Sequence, residues 1–188
     1  MPDLRGIDVS SHQGTIDWDA VAASGISFAI TKTTEDDGYF NPTFARNWRE
    51  IKRVNLARGA YHFARPEVND AIQEADYFLS MIDANGGLSP GDLLALDLEA
   101  GSGNLAQWAL DFLHRVLEKA GVRAMVYTGA WFSGPHGLAT KPEIATYPLW
   151  LAAYAPTKPA APPPWTSISI WQHSDQGTVP GIAGAVDL

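Results

Sequence analysis

Cysteine is absent from the 188-residue chain, which excludes a disulfide framework, a thiolate metal cluster and a cysteine nucleophile together. Chemistry therefore falls to oxygen and nitrogen groups. Basic residues are also few: 13 Lys and Arg stand against 21 Asp and Glu, for a formal charge of −8. Binding a phosphate backbone takes clustered cations, and these are scattered, so nucleic acid is excluded as a partner. An acidic cleft for a neutral or cationic substrate fits the balance better. No stretch approaches 18 apolar residues, so no membrane insertion is expected. The opening MPDLRGIDVSSHQG has no basic segment followed by an apolar run, and no secretory signal is expected either.

Aromatics, by contrast, are plentiful. Seven Trp, six Tyr and seven Phe are first of all core-packing residues, with stacking platforms for sugar rings as a second use. The length suits one domain over residues 1–188 but falls short of the roughly 250 residues of a full eight-fold β/α barrel.

Short apolar runs alternate with helix-like or turn-rich spacers, the pattern of a parallel barrel or doubly wound sheet. Eight strands are expected, at 4–9, 26–31, 57–63, 93–98, 124–128, 149–154, 167–172 and 184–188. The first four connections read as helical. One helix is capped by Asp17 and ends by Gly25, and one runs from Pro42 to about 54. Two more span 69–82 and 104–120, with apolar faces Ile72, Ala75, Leu79, Ile82 and Leu105, Trp108, Phe112, Val116, the second closed by Gly121. Later the character changes. Five prolines between 156 and 164 exclude helix, and 174–184 is polar and Gly-containing. The expected architecture is α/β: a modified eight-stranded β/α (TIM-like) barrel with helices missing in the C-terminal half. Its last strands are joined by loops or hairpin-like turns, which leaves room for an antiparallel strand.

The segment Leu93-Leu94-Ala95-Leu96-Asp97-Leu98-Glu99 is the most informative. Strand alternation sends Leu94, Leu96 and Leu98 to one face and Ala95, Asp97 and Glu99 to the other, with the two acids roughly 7 Å apart at Cβ. They sit at the C-terminal strand end, where barrel enzymes keep catalytic groups. Two carboxyls this close in a partly buried mouth cannot both ionise cheaply, so one retains a proton above the ordinary value of about 4. Such an acid is what protonates the leaving oxygen of a glycoside. Helix capping is the alternative use of these acids, but a cap belongs nearer Ser102 or Asn104.

Other strand ends supply companions. Asp8 closes the first strand, as a cleft acid or a turn former; Asp187 lies in the last. Tyr61, Tyr127, Trp150, Tyr154 and Trp171 are candidates to line a sugar groove or to fill the core. His62 reads as a hydrogen-bonded structural histidine. Glu35 either faces the mouth or is solvated with Asp36 and Asp37.

Together these segments resemble glycoside hydrolase family 25, lysozymes found in phage endolysins and bacterial autolysins. The resemblance is carried by Gly6-Ile-Asp8-Val-Ser-Ser-His-Gln-Gly, Phe28-Ala-Ile-Thr-Lys-Thr-Thr-Glu35, Gly59-Ala-Tyr61-His62-Phe63, Leu96-Asp97-Leu98-Glu99, Val126-Tyr127-Thr, Leu149-Trp150-Leu-Ala-Ala-Tyr154, Ile170-Trp171-Gln172 and Val186-Asp187-Leu188, in order along nearly the whole chain. It implies cleavage of the β-1,4 bond from N-acetylmuramic acid to N-acetylglucosamine in peptidoglycan. By motif it makes Glu99 the general acid and Asp97 its partner, as nucleophile or as support for the substrate's acetamido group. Asp8 and Asp187 line the cleft, and Glu35, Tyr61, Tyr127, Trp150, Tyr154 and Trp171 are the further substrate-binding candidates. No cofactor and no metal are implied. The resemblance also implies a monomer made in the cytoplasm and acting on the wall after holin-type or other non-Sec release. The chain stops at Leu188 where members usually continue with Asn and a few more residues, which reads as a catalytic domain parted from a wall-binding module. Two rivals stand beside this reading: a non-catalytic glycan-binding barrel, and a metal-dependent hydrolase using Asp8, Asp97, Glu99 and Asp187 as oxygen ligands.

Overall fold

A computed structural model describes residues 4–188. Met1–Asp3, which begin the segment read above as lacking a secretory signal, lie outside them. The strands are β1 (Gly6–Val9), β2 (Phe28–Glu35), β3 (Tyr39–Phe40), β4 (Ala57–Phe63), β5 (Leu93–Asp97), β6 (Met125–Gly129), β7 (Leu149–Ala152) and β8 (Ile170–Gln172). Seven of them form one curled parallel sheet in the order β1-β2-β4-β5-β6-β7-β8, with β3 antiparallel on β2. The helices are α1 (Trp18–Ala23), α2 (Phe44–Arg53), α3 (Ala71–Ala84), α4 (Ala106–Ala120) and the single turn α5 (Ala130–Ser133). Long helices thus cover only the first half, as the proline-rich second half requires. Among the described residues no helix is long and apolar enough to cross a membrane.

Local chemistry explains the helix ends. Asp17 and Asp70 cap α1 and α3 by accepting from the backbone N–H groups of Ala20 and Ile72. Gly121 closes α4 in the left-handed conformation, φ 66°. One face differs from expectation: Ile72 is exposed, and α3 instead buries Ala71, Glu74, Ala75, Phe78, Leu79 and Ile82. The helix phase is set by the acid Glu74, which has to reach inward to its partners.

The expected eighth strand also differs. Residues 184–188 form no parallel strand; Val186 and Asp187 make isolated antiparallel bridges to Gly177 and Asp8. Leu188 accepts from the His173 N–H at 2.7 Å and donates to the Ser174 carbonyl at 2.9 Å. A parallel return needs a crossover of a dozen or more residues, and the short polar run after β8 provides none. The segment therefore doubles back and fills the gap between β8 and β1. β2 runs past the expected 26–31 to Glu35, the residue that also reads as the end of this strand, through a bulge between Lys32 and Thr34, and Asp36 (φ 48°) turns the chain into β3, which was not expected. The Asp36 carboxylate accepts from the N–H groups of Gly38 and Tyr39.

Alternation divides the apolar residues into two layers. Leu94, Leu96, Leu98, Leu149 and Leu151 face out toward α3 and α4. Ile30, Ala95, Met125, Tyr127, Trp150 and Ala152 face in and fill the barrel. The outer layer contains one buried polar knot. His62 on β4, fully enclosed, shares its Nδ1 with Thr34 Oγ1 at 2.9 Å and its Nε2 with Glu74 at 2.6 Å. Its ring stacks on Phe112 at 5.1 Å. Burial holds the His62 pKa below its usual value against the opposing pull of Glu74. The neutral ring with Nε2–H donating to Glu74 and Nδ1 accepting from Thr34 satisfies both contacts. Glu74 also accepts from the Arg65 N–H at 3.1 Å.

Glu74→Ala leaves the buried His62 Nε2–H without an acceptor, at about 1–3 kcal/mol, and the part-buried Arg65 N–H as well, at a smaller cost. Urea unfolding is expected to show a loss of about 2–4 kcal/mol at unchanged slope. A loss below about 0.5 kcal/mol, the scale of ordinary surface substitutions, would contradict this account of α3 docking.

Candidate active site

The C-terminal ends of the parallel strands open into a mouth lined by acids. Leu94 and Leu96 on β5 and Leu98 just past its end are buried in the outer layer, so Asp97 follows Ala95 onto the inner side. Asp97 is 6% exposed, and its Oδ1 is buried without a hydrogen-bond partner among the described residues. Glu99, two residues on, is half-buried. Asp8 stands at the end of β1 and Asp187 is bridged to it across the closing segment. The sequence-expected acids are thus brought to one mouth.

All four carboxyls are held above their ordinary range. For Asp8 the cause is burial first and then the charge of Asp187. For Asp97 it is burial, then Glu99 and Asp8, with Lys32 opposing. Glu99 is raised by burial and by Asp187, again against Lys32. Asp187 is raised by burial, while its interaction with the Asp8 carboxyl works the other way. These acids act on one another, so their titration belongs to the cluster and not to one residue.

Tyr61 on β4 feels all four acids. Burial and then the charges of Asp8, Asp97, Asp187 and Glu99 push its pKa well up, so its hydroxyl stays a donor. Tyr127 on β6, in register with Asp97, donates to Gln172 Oε1 at 2.9 Å. Tyr154, 57% exposed, donates to the same oxygen at 3.2 Å, and its pKa is pushed up to about 12, chiefly by burial. The amide is thereby oriented, and Gln172 Nε2 donates to Asp8 Oδ2 at 2.8 Å. Gln172 is the site residue that sequence reasoning passed over. Its signal was present: next to Ile170 and Trp171 it is a polar side chain in inward phase at a strand end.

Three expected substrate-binding residues are placed differently. Trp150 is 3% exposed and packs edge-on against Tyr127 at 4.7 Å, so it is floor and not groove wall. Trp171 has the opposite phase to Ile170 and Gln172; its indole N–H donates to the Ala153 carbonyl at 2.7 Å. It points away from the acids. Glu35 is at the mouth side of β2 but engaged, with Lys32 at 2.5 Å and Arg65 at 2.5 Å. Burial opposes the shift, yet hydrogen bonds from Lys32 and Arg65 hold Glu35 below the usual range. Lys32, over the Phe63 ring at 4.7 Å, is the second residue missed. Among the described residues no three His, Cys, Asp or Glu side chains are gathered as a metal cage.

The family model "Glycosyl hydrolases family 25" matches residues 7–182. Lysozyme M1 of Streptomyces globisporus is 35% identical over 205 residues, covering 98% of the chain and 66% of that relative. The N,O-diacetylmuramidase of Chalaropsis sp is 32% identical over 207 residues, covering 98% and 96%. The crystal structure of the bacterial lysozyme from Streptomyces coelicolor superposes with a TM-score of 0.90 at 33% identity, covering 100% of the chain and 91% of that structure. The chain spans about two thirds of the length of the first of these relatives.

Because folding raises these carboxyl pKa values, the folded state binds more protons than the unfolded chain. The stability linked to them is fully present below the ordinary carboxylate range and is lost as pH rises through the raised values. Asp97→Asn, a neutral isostere, is therefore expected to raise Tm at pH 7, by about 2–4 °C for each kcal/mol recovered, and to gain much less at pH 4. An unchanged or lower Tm at pH 7 would show that the acid is not held against its own ionisation.

Proposed function

Since the chain belongs to glycosyl hydrolase family 25, we propose that it is an N-acetylmuramidase. It hydrolyses the β-1,4 bond between N-acetylmuramic acid and N-acetylglucosamine in bacterial peptidoglycan, degrading the wall. The observation that carries the reading is the pair Asp97 and Glu99 on the inner side of one strand end, within a cluster that retains a proton. Residues 1–188 act as a single catalytic domain and as a monomer.

Glu99, the less buried of the pair, protonates the glycosidic oxygen and lets the leaving sugar depart. Positive charge then develops at the anomeric carbon. Asp97 supports it, as nucleophile or as acceptor for the N–H of the substrate's acetamido group. Both roles need a carboxylate that protein donors leave free, and the buried Asp97 Oδ1 has no such donor among the described residues. Water completes the reaction, with Glu99 taking back a proton. Asp8 and Asp187 keep the mouth electronegative, and Gln172 fixes Asp8 in orientation. The Tyr61 hydroxyl is a donor for sugar oxygens, and the Tyr154 hydroxyl, whose hydrogen goes to Gln172, keeps lone pairs that accept from sugar hydroxyls.

Glu99→Gln keeps the side-chain shape and removes the transferable proton. Turnover is expected to fall by about 10²–10⁴-fold or more, with new reducing-end muramic acid, read by mass spectrometry of digested walls, disappearing in the variant. Wild-type digestion without reducing-end muramic acid would overturn the muramidase reading, and activity within a few-fold of wild type would remove Glu99 from the acid role. EDTA treatment that abolishes cleavage would favour the metal-dependent alternative.

The pH profile follows from the raised pKa values. Activity on isolated walls is expected to peak on the acid side of neutrality and to decline as the cluster loses its retained proton. A flat rate from mildly acidic to clearly alkaline pH would contradict this.

A further inference from the structure

β6 ends on Gly129, in the same strand phase as Met125 and Tyr127, whose side chains fill the barrel. A side chain there would rise from the inner wall directly beyond Tyr127. That space is taken. A Cβ built on Gly129 would fall 2.1 Å from Trp131 Nε1, 2.5 Å from Cδ1 and 2.8 Å from Cε2. The absence of a side chain at 129 is what lets the indole fold back over the strand end.

Trp131 nevertheless remains 63% exposed. It is not loose: Phe132, itself 3% exposed, meets it edge-on at 5.6 Å, and the His136 ring stacks behind Phe132 at 4.0 Å. On the neighbouring strand Gly129 pairs with Ala152, and two residues beyond Ala152 stands Tyr154. Tyr154 is 57% exposed with its hydroxyl tied to Gln172. Two open rings therefore follow the C-terminal ends of two adjacent strands, Trp131 in the turn α5 after β6 and Tyr154 just past β7. β6 is also the neighbour of β5, which carries the acids. A single exposed apolar residue needs no explanation. An indole held over the inner wall at the rim of a polar mouth, with a second open ring at the end of the next strand, offers flat faces for the apolar side of a pyranose ring.

We propose that Trp131, with Tyr154 at the end of the adjacent strand, is a stacking platform for an N-acetylated hexose of the glycan strand, one or more sugars away from the bond that is cut. The platform rests on the muramidase reading for its biological ligand. It acts by holding the strand, so it affects long chains and spares the chemical step.

The test uses Trp131→Ala and Trp131→Phe, with Tm confirming the fold. Soluble glycan strands of graded length are the substrates, and chitohexaose is the binding probe. Trp131→Ala is expected to raise KM on long strands about tenfold, equivalent to about 1.4 kcal/mol, with kcat unchanged and the shortest cleavable fragment unaffected. Trp131→Phe recovers most of the loss. In the wild type, chitohexaose is expected to shift one indole N–H resonance that is absent from both variants. Equal KM at all lengths, or a fall in kcat at every length, would overturn the platform. Chitohexaose binding through that indole in a protein that cuts no glycan would instead overturn the muramidase reading and leave the platform standing.

Discussion

Four carboxyl groups held at one end of a parallel sheet repel one another, and burial adds the cost of losing water around each charge. The fold opposes this repulsion with specific devices. Part of the charge is withheld as protons shared within the cluster. Lys32 supplies a nearby positive charge that favours ionisation of Asp97 and Glu99. Gln172 gives Asp8 a donor, and the two tyrosine hydroxyls lock that amide the right way round. Lys32 is in turn held by Glu35, which Arg65 grips from the other side. The ion pairs at the rim are thus best understood as support for the mouth and less as sources of stability.

Much of the fold was legible because its elements obey local rules. β4 was read at both ends, since Ala57 follows a turn and Phe63 precedes the break at Pro66. The α4 terminus was fixed by Gly121, where only the left-handed conformation ends the helix. What escaped was set by tertiary demands. The face of α3 turns on a buried acid, so Ile72 lies outside although its spacing suits the core. β2 extends through Thr33 and Thr34, polar residues that pattern reasoning reads as an end, because their neighbours enclose them completely. The last segment turned antiparallel for want of a crossover.

The site divides along similar lines. Acids at apolar strand ends stand out in sequence, and Asp8, Asp97, Glu99 and Asp187 do gather at one mouth. Aromatics do not declare their side. Trp150 and Trp171 were chosen for type, yet alternation sends one into the floor and the other outward, while the adjacent Gln172 takes the inward position. Trp131 stayed unread because its placement depends on a glycine that contributes nothing except space.

The closing bridge has a further consequence for the history of each molecule. Asp8 and Gln172 meet across 164 positions of sequence, and Asp187 reaches Asp8 only when the final segment docks. Contacts this distant form after the local ones, because chain entropy must be lost before they reward it. A chain with β1 to β7 already paired carries Asp8, Asp97 and Glu99 and still lacks Asp187 and the Gln172 donor. Completion of the circle is thus the step that joins Gln172 and Asp187 to Asp8 at the mouth.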